Sequence, residues 1–151
     1  MLLIVNNETM GYLKDLAPIL TSSLNKPFEK VGNLPLYRSV DELVIGRWSK
    51  KYEVSHDYWY GLKAHDFKLM EEHPVTHFAY VCADEGVLLL PKKVVLQQVN
   101  ENNLTKSEKA DGGLIHYHIR LDNKDGQLCW ILSKGMTKNV EENYCRMHGS
   151  Q

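Results

Sequence analysis

Thr76-His77-Phe78-Ala79-Tyr80-Val81-Cys82, then Ala83-Asp84-Glu85-Gly86, then Val87-Leu88-Leu89-Leu90, is the stretch on which the fold of this chain turns. Two apolar runs of strand length flank four residues of turn chemistry, which predicts an antiparallel hairpin at the heart of the core. Pro91 follows and suits the first turn of a helix, whose buried face would carry Val94, Val95 and Val99.

Upstream of the hairpin, Tyr58-Trp59-Tyr60-Gly61-Leu62 is aromatic enough to form a strand, and residues 65–73 predict a short helix that stops before Pro74. Ser39-Val40-Asp41-Glu42 matches a capping box. Leu43, Val44, Arg47, Trp48 and Lys51 follow it at helical spacing, so a short amphipathic helix is expected there, with Gly46 against it. Residues 25–36 read as loop. At the start, Met1-Leu2-Leu3-Ile4-Val5 reads as a strand. Asn6 or Asn7 can cap a helix that buries Met10, Leu13, Leu16 and Leu20. Pro18 lacks the amide a helix interior needs, so that helix should kink or break there and resume over residues 19–24.

Downstream, residues 100–113 are polar, with hardly an apolar side chain, and predict an exposed, mobile loop. Residues 114–121 and 128–132 predict a second hairpin through Asp122-Asn123-Lys124-Asp125-Gly126. Asn139 with Glu142 can cap a final short helix, after which too little apolar sequence remains for another element. No internal repeat is present. The sum is an α+β chain, a mainly antiparallel sheet built from hairpins with flanking short helices, organised as a single domain over residues 1–151.

Composition narrows the class. At 151 residues the chain can bury a sizeable core, and 43% apolar with 25% charged residues excludes a disordered, collagen-like or membrane-spanning chain. Lys plus Arg (18) nearly balances Asp plus Glu (19), so no overall positive field marks a polyanion binder and any such site must be local. The opening apolar run is too short for a signal-peptide core or a membrane span. Cys82, Cys129 and Cys145 are odd in number and widely spaced, and the first two sit in strand-like runs as small buried thiols do. A reducing, cytoplasmic setting without a membrane is expected.

Two constellations could carry chemistry. In Ile115-His116-Tyr117-His118-Ile119-Arg120-Leu121, strand alternation puts the apolar side chains on one face and His116, His118 and Arg120 on the other. Two histidines one residue apart on a strand can point at one metal ion, but no Glu-x-x-His or cysteine pair offers a third ligand, so no metal and no cofactor is expected. The second is Arg47-Trp48-Ser49-Lys50-Lys51-Tyr52, closely followed by His56-Asp57-Tyr58-Trp59-Tyr60. Its cations can neutralise phosphates, and an exposed ring can stack on an unpaired or flipped base. Aromatic residues at this spacing more often belong to the core, with lysines lying alongside.

Phosphodiester cleavage offers two further residue sets, since Asp then Asp/Glu-x-Lys sites hold Mg²⁺ between carboxylates. Asp57 with Asp66-Phe67-Lys68 is one, and Asp111 with Asp122-Asn123-Lys124 the other. The first lies partly in a predicted helix. The second coincides with a hairpin turn that already accounts for its Asp and Asn residues. No Gly-rich loop follows the first strand and no Gly-x-Ser-x-Gly is present, which disfavours a phosphate cradle and a serine hydrolase.

Tyr58-Trp59-Tyr60-Gly61-Leu62, residues 76–81 with Val87-Leu88-Leu89-Leu90-Pro91, and His116-Tyr117-His118-Ile119 together resemble small domains of bacterial restriction and phage-defence systems. The resemblance covers about half the chain and is greatest to the DNA-recognition modules attached to McrB-like motor subunits. It implies a module that binds DNA without cutting it, beside a motor or nuclease subunit, and it transfers no individual residue. The expected nucleic-acid-binding residues are thus Arg47, Trp48, Lys50, Lys51, Tyr58, Tyr60, His116, His118 and Arg120. For that reading the two segments must meet on one surface. The alternatives are a metal-dependent phosphodiester-cleaving enzyme using His116 and His118, or Asp122 and Lys124, and a protein-interaction module recruiting a partner through the hairpin around Phe78 and Leu90.

Overall fold

The computed structural model describes residues 15–99, 106–107 and 116–147. In chain order its elements are α1 (Ala17–Leu24), β1 (Glu29–Lys30), β2 (Leu36–Arg38), β3 (Leu43–Ser49), β4 (Tyr58–Leu62), α2 (Ala64–Glu72), β5 (His77–Cys82), β6 (Gly86–Pro91), α3 (Lys92–Gln98), β7 (Lys106–Ser107), β8 (His116–Lys124), β9 (Gln127–Ile131), β10 (Thr137–Asn139) and β11 (Tyr144–Arg146). Short 3₁₀ turns occupy Ser133–Gly135 and Glu141–Asn143. The expected first strand, the start of the opening helix and most of the polar stretch 100–113 lie outside the described residues.

One sheet runs β1-β2-β3-β5-β6-β11, and a second runs β10-β9-β8-β4 with β7 also paired to β8. Every pairing is antiparallel except β3 with β5. The fold is α+β with mainly antiparallel sheets.

The inner faces of the two sheets meet in the main core. Ile45, Phe78, Tyr80, Leu88 and Leu90 of the larger sheet pack with Tyr58, Tyr60, Ile119, Leu121 and Trp130 of the smaller, closed by Leu69 of α2 and Val95 of α3. The other face of the larger sheet carries Val44, Ala79, Val81 and Val87, covered by Leu16, Ala17 and Leu20 at α1. Burying each Leu- or Phe-sized side chain stabilises by roughly 1.5–3 kcal/mol.

The central hairpin forms as expected, with Phe78 opposite Leu90 and Cys82 opposite Gly86. Little of it is an edge, however. β3 covers one side, and β11 covers Gly86, Val87 and Leu88 on the other, so among the described residues only 89–91 of the hairpin lack a strand partner there, a short edge for the expected recruitment of a partner. The second hairpin also forms, but its strands run up to a two-residue Asp125-Gly126 turn, both residues having positive φ (54° and 81°). The helix expected to precede Pro18 lies mainly outside the described residues, while α1 supplies the one expected to follow it. Pro18 sits in the first turn of α1, where its missing amide costs nothing.

Two expectations are overturned. The capping box at Ser39 starts no helix: Ser39 N donates to Glu42 O at 2.8 Å, closing a turn between β2 and β3. Residues 43–46 are buried because β3 lies centrally in the larger sheet, with apolar layers on both faces, so its side chains show no strand alternation. Gly46 fits that position, because a Cβ there would lie 2.9 Å from the Tyr37 ring on the neighbouring strand. The chain end also adds an element: after Asn139 Oδ1 caps the Glu141 amide at 2.9 Å, β11 pairs Tyr144 with Leu88 along β6.

Candidate nucleic-acid interface

Strand parity sorts the aromatic segment of β4. Tyr58, Tyr60 and Leu62 point into the core, leaving Trp59, 43% exposed, on the outer face of the smaller sheet. The pairing of β4 with β8 sets Trp59 opposite Arg120 and Gly61 opposite His118. The diagonal neighbours Trp59 and His118 then touch, with ring centres 5.0 Å apart. Trp59 Nε1 donates to His118 Nδ1 at 2.8 Å, which puts the proton of a neutral imidazole on Nε2. Two residues 59 positions apart in sequence therefore share one surface.

The loop between β3 and β4 builds a wall beside this surface. Ser49 Oγ accepts the Trp59 amide at 3.0 Å, Tyr52 N donates to Asp57 O at 2.8 Å, and Asp57 Oδ2 accepts from Asn123 N and Nδ2 at 2.8 and 3.0 Å. So tied at both ends, the loop sets Tyr52 edge-on to Trp59 at 6.3 Å, with Lys50 Nζ 5.1 Å from the Tyr52 ring centre. Tyr52, Val54, Ser55, His56, Trp59 and Arg120 line a cleft of about 260 Å³. Val54, 79% exposed, adds an apolar side chain to its wall.

Arg120 forms no ion pair among the described residues, and its Nε is shielded from solvent with no acceptor. Burial, followed by the nearby Arg120 charge, lowers the pKa of His56 against the opposing pull of Asp122, so the imidazole is neutral at pH 7. The cleft thus has aromatic and apolar walls, a neutral imidazole and one unpaired guanidinium.

A second pocket of about 290 Å³ lies on the other side of the same loop, lined by Lys51, Asp57, Glu85, Asn123, Gly126 and Arg146. Its charges are already paired. Lys51 Nζ meets Glu85 Oε2 at 3.1 Å, Tyr58 donates to the other oxygen of Glu85, and Arg146 meets Glu141 at 2.9 Å. The Asp57 and Asp122 carboxyls lie close enough to share a proton. Burial and the Asp57 partner raise Asp122, whereas for Asp57 the upward push of burial is outweighed by hydrogen bonds from Asn123 and Asp122, so Asp57 is lowered.

The structure redistributes the nine expected binding residues. Lys50, His118 and Arg120 stand at the outer surface of the smaller sheet, and His116 opens β8 opposite Ser107. Tyr58 and Tyr60 are corrected: both are core residues, and Tyr60 donates to Val81 O at 2.8 Å. Arg47 turns inward to Asp66, a buried carboxylate that also accepts the Lys63 amide at 2.9 Å. Trp48 packs on the α1 side of the larger sheet, and Lys51 is held by Glu85. The list omitted Trp59, Tyr52, Val54 and His56. Alternation in β4 could have singled out Trp59, because Leu62 shares the parity of Tyr58 and Tyr60.

The cleavage sets do not assemble as expected. Asp66 is committed to Arg47, Lys68 is exposed on α2, Asp111 lies outside the described residues, and Asp57 pairs with Asp122 across the two sets. Among the described residues no group of three His, Cys, Asp or Glu side chains is placed to hold a metal ion. No helix among them is long and apolar enough to cross a membrane. In comparison with known proteins, the chain matches no family model, no curated protein and no solved structure.

Proposed function

We propose that this chain is a DNA-recognition module that binds unpaired or flipped bases on the outer face of its smaller sheet and does not itself cut the strand. The observation that carries the reading is the exposed Trp59 ring, pinned to His118 and flanked by Arg120 at a cleft of about 260 Å³. A ring fixed by a hydrogen bond loses little freedom on stacking, and every base offers a face to it. Arg120 and Lys50 supply local positive charge, which suits a chain whose net charge is only −1. In the restriction or phage-defence setting that the sequence resemblance implies, a motor or nuclease subunit would act on the DNA this module engages, in the cytoplasm.

The test is binding of labelled single-stranded and duplex DNA, methylated and unmethylated, at two salt concentrations with and without EDTA. Binding should favour unpaired DNA, weaken with salt and ignore EDTA. Trp59→Ala should weaken it by roughly 10- to 100-fold, the value of one base stacked on an aromatic ring. Lys50→Gln should reduce the salt slope by about 0.7, one phosphate's worth on a single strand. No binding to any of these DNAs would overturn the reading.

A further inference from the structure

We infer that the cleft between Trp59 and Arg120 selects guanine over the other bases. The inference rests on the proposed base-binding role and names the ligand of that same surface. A cleft of about 260 Å³ lies just below the roughly 300–1,000 Å³ of sites for larger organic ligands, so it suits one ring system. Trp59, Tyr52 and Val54 give it flat and apolar walls, which an isolated phosphate would leave uncovered.

The polar groups decide which ring. Arg120 offers only donors and has no acceptor of its own among the described residues. No carboxylate lines the cleft: Asp57 opens onto the neighbouring pocket, and Asp122, whose charge acts on His56, stays outside the lining. A base in the cleft therefore meets a guanidinium fork and no carboxylate in the lining. Guanine presents two adjacent acceptors, O6 and N7, that match such a fork. Adenine sets its N6 donor beside N7, cytosine presents its N4 donor, and thymine has one acceptor next to a methyl group. Each of these leaves a donor of Arg120 facing a donor or an apolar group.

The experiment measures affinity of the full chain for oligothymidines carrying one central guanine, adenine, cytosine or 7-deazaguanine, by anisotropy. Guanine should bind roughly tenfold or more tightly than adenine or cytosine, and 7-deazaguanine, which lacks only the N7 acceptor, should lose most of that advantage. Arg120→Lys keeps the charge and removes the fork, so it should retain binding while erasing the preference. Competition by GMP as strong as by the oligonucleotide would support guanine selection and assign it to a free nucleotide. Competition by inorganic phosphate as strong as by GMP would overturn it. Equal affinity for all four bases would overturn the selection and leave the base-binding surface standing, whereas no binding to any oligonucleotide would overturn both.

Discussion

Gly86 shows how a single residue carries the join between elements. It opens β6 opposite Cys82 and Arg146, and a Cβ there would lie 2.6 Å from the Tyr144 ring and 2.7 Å from the Cys145 carbonyl. Gly86→Ala should therefore destabilise the protein by about 1–3 kcal/mol through overpacking at β11, measured by urea unfolding. Arg47 and Asp66 make a second residue-scale case. Asp66 is almost fully buried, and its carboxylate is balanced by the Arg47 guanidinium. Removing one partner, as Asp66→Ala or Arg47→Ala, should cost about 3 kcal/mol because the other charge stays inside the fold uncompensated. Arg47→Met should leave the salt slope of DNA binding unchanged, which separates a structural role from the phosphate contact first expected of it.

At the scale of elements, the Asp57 junction, with its bonds from Asn123 and the neighbouring Asp122, ties the β3–β4 loop to β8 and so shapes the cleft. Its pH dependence has two opposite signs. Asp57 has a folded pKa below 3.8, so its contribution is present at neutral pH and lost as pH falls through that lowered value. Asp122 has a folded pKa above 3.8, so its contribution is present in acid and lost as pH rises from 3.8 through the raised value. Asp57→Asn should consequently destabilise the protein at pH 7 and progressively less as pH falls below 3.8. Asp122→Asn, which mimics the protonated carboxyl, should stabilise it at pH 7 relative to its effect at pH 3. Urea midpoints between pH 3 and 8 check both, and parallel curves for the two variants would refute the assignment.

The elements themselves were unequally legible. The two hairpins, β4, α2 and α3 could be read because apolar runs there are bounded by turn residues or proline, which act locally. β3 could not, since a strand covered on both faces lacks alternation and its apolar residues coincide with helical spacing. β11 could not either: three residues become a strand only because β6 offers them an edge.

Across the whole molecule, stability and the proposed function occupy opposite faces of one sheet. Trp130 on the inner face is fully buried, so Trp130→Ala should cost about 3–5 kcal/mol. Trp59→Ala on the outer face should cost less than about 1 kcal/mol while removing most DNA binding. Calorimetry set beside the binding assay checks the contrast, and a Trp59 variant that unfolds would place that residue in the core instead.

Sequence by itself determined the α+β class, the two central hairpins and the outward parity of His118 and Arg120, because turn chemistry and side-chain alternation are properties of neighbouring residues. Only the tertiary structure decided that Tyr58 and Tyr60 are core, that Arg47 and Lys51 are spent on Asp66 and Glu85, and that Trp59 meets His118. Those outcomes depend on which strands pair and which charges come within reach, distances set by chain segments far apart in sequence.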